Sequence, residues 1–378
     1  MTRVYLESDN VITSLGFTTG QNFSAMEAGI SGIHISENNE LSLNPFPVSL
    51  VDKIRLHEEF SGISKNEHTD FEKLILLSAH KALAGSAINP SSHKTLFILS
   101  TTKGNVDLLH KKSGNNQDVR LYLWHSADLL RRFFNNPNQA VVISNACVSG
   151  LTAMITGMRL IKNGDYDNVV VTGGDVVSKF IVSGFQSFLS LSPQPCRPFD
   201  RNRDGLTLGE GAATVILTNR NPEKLPAVEL VAGATSNDAN HISGPSRTGE
   251  GLFVAINKTL NGIGEPPGFI SAHGTATPYN DDMESIAFNR AGLQEVPVNS
   301  IKGFIGHTLG AAGIIESVIG AGSLVKNRVI KTAGLQNQGL AQPINTIKEN
   351  LDITLRSFLK TASGFGGSNA TALFVKHE

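Results

Sequence analysis

The stretch Gly310–Lys326, GAAGIIESVIGAGSLVK, is small or apolar on nearly every face. At helical spacing such a segment has no side to show to water, so it must be enclosed all round. A chain that carries it needs layers of structure on both sides of one helix. Short apolar runs supply them: Thr95–Ser100, Ala140–Asn145, Asn168–Gly174, Ala212–Leu217, Val228–Ala234 and Phe269–Ala272 read as buried strands. Helical patterns alternate with these runs at Phe71–Ala84, Val119–Phe134, Val176–Leu191, Leu252–Leu260 and Asp282–Arg290. The alternation predicts α/β layers with largely parallel pairing. Near the start, Val4–Leu6 and Val11–Ile12 read as a strand pair, and Glu37–Arg55 as loop with short strands. Thr101–Asn115 reads as a polar loop.

A second stretch echoes the first. In Gln139–Lys162, QAVVISNACVSGLTAMITGMRLIK, a strand runs into Cys147 and then into a helix with Leu151, Met154, Ile155, Met158 and Ile161 on its apolar face. Val296–Ser300 likewise runs through a glycine loop into Gly310–Lys326. Two halves that each pack a central helix between sheets would give this pattern, a weak internal repeat.

Cys147 therefore falls at a strand-to-helix junction. Unpaired backbone N–H groups and the helix dipole favour an anion there, which predicts a lowered thiol pKa and a nucleophile. The alternative is a small apolar residue filling a core gap. The other cysteine, Cys196, lies between two prolines with no helix start beside it, which points to a structural role. His273 directly follows the buried strand Phe269–Ala272, and ligand sites collect at such strand ends. Alone it would read as a satisfied buried histidine. His307 stands in NSIKGFIGHTLGAAG, just before the enclosed helix, where a helix start biases the ring toward neutral imidazole. Glu316 lies inside that helix and needs a partner if buried, with Lys302 the nearest upstream candidate. The glycines of SGFGGSNA, around Phe365, permit close backbone approach to a ligand. One cysteine and two histidines at equivalent strand ends make a constellation for acyl transfer.

Other chemistries find little support. Lys plus Arg is 32 and Asp plus Glu 33, so no basic excess attracts nucleic acid. Neither histidine has a third ligand at metal spacing, and no metal is expected. No phosphate-binding glycine motif follows a strand. The first residues, MTRVYLESDNVITSLG, lack the apolar stretch of a signal peptide, and no window approaches ~20 uninterrupted apolar residues. The expectation is a soluble, cytoplasmic protein.

Five motifs, in order, carry a family resemblance: SNACVSG, RPFDRNRDGLTLGEGAA, SAHGTATPYNDDME, KGFIGHTLGAAGIIE and SGFGGSNA. With these the chain resembles the β-ketoacyl-acyl-carrier-protein synthases of the elongating Cys–His–His type. The resemblance implies a thiolase fold, a duplicated five-layer α-β-α-β-α sandwich. Its halves would be residues 1–225, with the nucleophile, and 226–378, with both histidines. It implies decarboxylative condensation of an acyl group on Cys147 with malonyl-acyl-carrier protein. His273 and His307 would donate hydrogen bonds to the malonyl thioester carbonyl, and Lys302, partnered by Glu316, would support His273. The N–H groups of Cys147 and Phe365 would form the oxyanion hole, with Phe365 as the gate. Thr275 and Thr277 would hold the phosphopantetheine arm, and Asp238 and His241 would pack against the gate. No cofactor would be bound beyond that arm. The implied partners are acyl carrier protein and a second subunit, either a copy of the chain or a related synthase or chain-length factor.

Departures from the family pattern are Asn145 before the nucleophile, the bulk of Val148 after it, and a short Thr101–Asn138 segment that would shape the acyl pocket. SNACVSG is most similar to synthases that make aryl polyenes or dialkylresorcinols. A non-catalytic chain-length-factor-like subunit is the alternative, and the retained Cys147 argues against it. A thiolase would need a second cysteine where Phe365 stands, and an initiating synthase an asparagine at His307.

Overall fold

The computed structural model describes residues 2–110, 118–223, 225–242 and 244–378. The part of the predicted polar loop beyond residue 110 lies outside the described residues. Ten strands form the main sheet: β1 (Tyr5–Ile12), β2 (Thr95–Ser100), β3 (Val141–Ile143), β4 (Asn168–Asp175), β5 (Gly211–Thr218), β6 (Ala227–Asn237), β7 (Phe269–Ser271), β8 (Val298–Asn299), β9 (Ser357–Gly364) and β10 (Ser368–His377). Their order is β8-β7-β9-β10-β6-β1-β5-β4-β2-β3. The sheet is two five-stranded sets joined by a single pairing, Tyr5 with Glu229. In chain order each set reads 3-2-4-5-1, so the weak repeat in the sequence is a repeat of topology.

Six helices matter to the site: α1 (Asp70–Ala84), α2 (Leu123–Phe133), α3 (Ser149–Lys162), α4 (Glu250–Leu260), α5 (Pro278–Arg290) and α6 (Ala312–Lys326). α3 and α6 pack on each other and each touches strands of both sets, which makes them the middle layer. α1 covers β1, β4 and β5 on one outer face, and α4 covers β6 and β10 on the other. α5 joins α4 there, placing Met283, Ala287 and Phe288 among Ile270, Val298 and Leu359. The five-layer α-β-α-β-α sandwich is thus in place. Leu309–Lys326 is long and apolar enough to cross a membrane, but most of it is buried inside the fold.

Small residues let the two central helices meet. A Cβ built on Gly150 would come 2.9 Å from the Gly310 carbonyl oxygen and 3.0 Å from the Ile314 nitrogen. One built on Gly313 would lie 2.4 Å from the Leu151 nitrogen. The backbones touch where both helices begin.

Three local expectations change. Pairing is mixed, because β5 and β10 run antiparallel to both of their neighbours. Strands apolar on both faces show no direction in their sequence, so the alternation of strands with helices suggested parallel pairing at β5 and β10 where there is none. Val4–Leu6 and Val11–Ile12 are one strand, with a register shift between Leu6 and Ser8 that takes up the polar middle of ESDN. Lys53–Arg55, read as the end of a loop, instead open the helix Lys53–Ser61, which is capped by the Asp52 side chain and buried only through Leu56 and Phe60. Two apolar positions are too few to display a period.

The same substitution should act oppositely at two helical glycines. Gly313→Ala drives a methyl into the Leu151 backbone and should cost about 1–3 kcal/mol, outweighing alanine's better helix propensity. Gly184, in the helix Lys179–Ser187, has no atom within 4 Å of its would-be Cβ. Gly184→Ala should therefore stabilise by about 0.5–1 kcal/mol. Urea unfolding of the two variants checks the pair.

Candidate active site

The chain turns sharply between β3 and α3. Ala146 has a φ of 44°, left-handed for a residue with a side chain, so the turn is strained. Ser149 holds it: its Oγ accepts from the Asn145 N–H at 2.8 Å and donates to the Ala146 carbonyl at 2.6 Å. Cys147, next in the chain, is 8 % exposed and faces a pocket with a free volume of about 120 Å³.

The second set of strands brings two imidazoles to the same place. His273 leaves β7, and its backbone is pinned from below by α5. Glu284 accepts the N–H groups of His273 and Gly274 at 2.8 and 2.7 Å, and Asp281 accepts that of Thr275 at 3.0 Å. Both carboxylates are buried, and burial together with the Glu284 charge lifts Asp281 to about 7. His307 is fixed through its own backbone, which donates to the Thr207 carbonyl at 2.7 Å and accepts from Gly209 at 3.0 Å. Cys147 Sγ and one nitrogen of each ring all lie within 4.8 Å of one another. The rings meet edge to face, with centroids 5.1 Å apart. Nitrogen and sulfur at such spacing are donors of the kind zinc takes. The expectation that the histidines lack a third donor nearby therefore fails in three dimensions, because the fold supplies Cys147.

Lys302 and Glu316 form a buried ion pair, as the placement of Glu316 inside an enclosed helix requires. Lys302 Nζ also lies 3.3 Å from His273 Nδ1. An ammonium can only donate, so Nδ1 accepts and the ring proton sits on Nε2. Lys360 was not anticipated. Its Nζ lies 2.7 Å from the other Glu316 oxygen and donates to the carbonyls of Ser271 and Ala272 at 3.0 Å. A lysine directly after Phe358 and Leu359, in the middle of strand β9, was the available signal. Asp175, also missed, ends β4 and joins the halves: it accepts from Thr101 Oγ1 at 2.8 Å and from the Gly310 N–H at 2.7 Å.

Burial sets the protonation of the site. It holds His273 well below the ordinary imidazole value, with Lys302, His307 and Lys360 adding to the effect. His307 is lowered in the same way, by burial and then by Lys302 and Lys360. Both rings are neutral near pH 7. Among the described residues neither ring nitrogen of His307 has a hydrogen-bond partner, although the residue is 1 % exposed. A buried polar group left in that state awaits a ligand or is costly. The thiol departs from expectation. Burial pushes Cys147 up to about 12, with the Lys302 cation opposing, so desolvation outweighs the favourable helix start.

Of the other predicted site residues, Thr275, Thr277, Asp238 and Phe365 line the pocket. The two threonine hydroxyls are 2.8 Å apart. A Cβ on Gly364 would come 3.1 Å from the Cys147 nitrogen, so the Gly364–Phe365 backbone lies against the nucleophile's amide. Asp238 donates its N–H to the Gly367 carbonyl at 2.7 Å. His241 stands outside the pocket, its Nδ1 accepting from Gly244 at 3.0 Å. Asn145, a departure from the family pattern, accepts from Ser368 Oγ at 2.9 Å and ties the elbow to the glycine loop.

A cysteine elbow facing two imidazoles across the seam of a duplicated α/β sandwich is the architecture of thiolase-type proteins. Solved ketosynthases share the fold. The ketosynthase ApeO in complex with its chain length factor ApeC from Xenorhabdus doucetiae is similar over 100 % of this chain and 98 % of its own, at a TM-score of 0.88 and 25 % identity. The ishigamide ketosynthase/chain length factor is similar over 100 % of both chains, at a TM-score of 0.90 and 22 % identity. Two family profiles match, the β-ketoacyl synthase N-terminal domain over residues 44–222 and the C-terminal domain over 227–336. Together they cover more than half of the chain, which belongs to the β-ketoacyl synthase family. Among curated relatives, 3-oxoacyl-(acyl-carrier-protein) synthase 2 of Vibrio cholerae is 33 % identical over 267 residues, 65 % of this chain and 64 % of the relative. The Staphylococcus aureus protein of that name is 29 % identical over 259 residues, 64 % of this chain and 62 % of the relative. The matched stretch spans less than two thirds of these relatives.

The thiol's environment is open to test. With burial holding the pKa high, alkylation of Cys147 by iodoacetamide should rise about tenfold per pH unit from pH 7 to 10. Peptide mass mapping reads the rate. A plateau by pH 8 would show that the helix start prevails over burial.

Proposed function

We propose that the protein is an elongating condensing enzyme that joins an acyl group on Cys147 to a malonyl unit delivered by acyl carrier protein. The meeting of one buried thiol with two neutral imidazoles carries this reading. A thiol pushed up by burial needs a base at hand, and His307 has an unpartnered nitrogen to take its proton. The thiolate attacks the incoming thioester. The N–H groups of Cys147 and Phe365 receive the oxyanion, the carrier thiol leaves, and the acyl group stays on sulfur.

Malonyl thioester then occupies the second position. Nε2–H of His273, set by Lys302, and an N–H of His307 donate to its carbonyl. They stabilise the enolate formed as the carboxylate departs as carbon dioxide. The enolate carbon attacks the acyl carbonyl, a carbon–carbon bond forms, and the bond to Cys147 Sγ breaks. Lys302 and Lys360 share Glu316, so two cations sit beside developing negative charge without being free to neutralise it by proton transfer. Thr275 and Thr277, at the pocket wall, hold the phosphopantetheine arm, the only prosthetic group this reading requires. Residues 1–225 and 226–378 act as halves of one site. The enzyme works in the cytoplasm as a dimer with itself or with a related synthase or chain-length-factor subunit, on fatty acyl or polyketide chains such as aryl polyenes or dialkylresorcinols. A chain-length-factor role without catalysis is disfavoured by the intact Cys147.

Intact mass after exposure to acyl-carrier protein should show an acyl adduct on Cys147, and malonyl-carrier protein should then release carbon dioxide. Cys147→Ala should lower condensation by at least about 10³-fold. Cys147→Gln, which imitates the acyl state, should retain decarboxylation. Absence of both adduct and carbon dioxide overturns the assignment. Acylation should also hold its full rate as pH falls through 6.5 and decline only well below it. Both imidazoles have lowered pKa values and take protons late.

A further inference from the structure

Lys360 sits in the middle of β9, in register with Ser271 of β7, and is fully buried. Burying an ammonium is costly even when it is paired, and an apolar side chain of similar volume would serve packing as well or better. Stability therefore does not account for a lysine at this position. Its Nζ donates to three backbone carbonyls, Ser271 and Ala272 at 3.0 Å and Thr361 at 2.6 Å. Those bonds use its three protons, and Glu316 Oε2 at 2.7 Å is held by charge.

Lys302 continues the pattern. Its Nζ donates to the His273 carbonyl, to Glu316 Oε1 and to His273 Nδ1. Three consecutive carbonyls, Ser271, Ala272 and His273, are thus held by two buried ammoniums that share one carboxylate. On the amide side, Glu284 accepts from the His273 and Gly274 N–H groups and from the Thr361 hydroxyl. The strand end that carries His273 is gripped by its carbonyls and its amides together.

An ammonium has three protons, and all three of Lys302 are committed. Without Lys360, one Glu316 oxygen and three carbonyls lose their cation. Lys302 can serve them only by giving up a contact, and neutral Nδ1 holds it less strongly than the carboxylate does. The ring is then free to carry its proton on Nδ1. Nε2 would turn a lone pair, in place of an N–H, toward the malonyl carbonyl.

We propose that Lys360 is a positioning residue for decarboxylation: by holding the end of β7 and sharing Glu316, it keeps Lys302 on His273 and so keeps Nε2–H aimed at the malonyl carbonyl. This rests on the condensing reading above. Lys360 acts through Glu316, Lys302 and the strand end, and touches no substrate.

The test compares two half-reactions in the full chain. Lys360→Met should slow decarboxylation of malonyl-carrier protein at least about tenfold more than it slows acylation of Cys147. NMR of ring-nitrogen-labelled histidine, with His273 assigned by its absence in His273→Ala, should show one tautomer in the wild type and both in Lys360→Met. Lys360→Ala lacks the atoms from Cγ to Nζ, which are those of propylammonium. Added propylammonium should restore its decarboxylation severalfold, and tetramethylammonium, equally charged but without N–H, should not. Lys360→Ala also carries the comparison should the methionine variant not fold. Equal slowing of both half-reactions, a single His273 tautomer in the variant, or propylammonium acting no better than tetramethylammonium overturns the role of Lys360. The tautomer needs no turnover. A wild type that forms neither acyl adduct nor carbon dioxide would therefore sink the condensing reading, while the tautomer comparison still decides what Lys360 does.

Discussion

The close approach of α3 and α6 is the contact on which the site depends. Gly150 and Gly313 let two helix beginnings touch, backbone to backbone. One beginning carries Cys147 and the other follows His307. A side chain at either glycine would part the helices, and the sulfur and the imidazole with them. Asp175 reinforces the seam by accepting the Gly310 N–H from the far side. The smallness of GAAG and SGL is thus a requirement of chemistry as much as of packing.

Charge inside this seam is arranged rather than merely balanced. Glu316 is shared by Lys302 and Lys360, all three buried. Removing one partner of such a group leaves an uncompensated charge, which typically costs about 3–5 kcal/mol. Burial, with the two lysines adding to it, keeps the imidazoles neutral, and Lys302 sets the tautomer of His273. Burial acts on every titratable group at once, so it makes the histidines available as donors while it denies the thiol an easy ionisation. In the proposed reaction His307, whose ring nitrogens are unpartnered, resolves that conflict by taking the thiol proton.

Much of this was legible in the sequence, for physical reasons. An all-apolar helix has only one kind of home, and Gly310–Lys326 revealed the layered architecture. Cys147 and His273 stood out because each followed a buried run, and His307 because it stood just before the enclosed helix. Glu316 stood out because a carboxylate inside that helix demands a cation. What stayed hidden depends on distance in space. Lys360 answers a charge 44 positions earlier, counting from Glu316 to Lys360. Asp281 and Glu284 look like the polar face of a surface helix until α5 is seen beneath the His273 loop. Strand direction left no mark, since strands buried on both faces read alike either way. The thiol pKa was misjudged because a helix start is visible in sequence and desolvation is not.

The repeated strand order has a consequence for how the molecule can be divided. One copy of the motif holds a sulfur and the other a pair of rings, and neither holds both. Severed after Thr218, the chain would yield two fragments, each with a whole five-strand layer and one naked face. Such pieces would have to find each other again before either had a reaction centre.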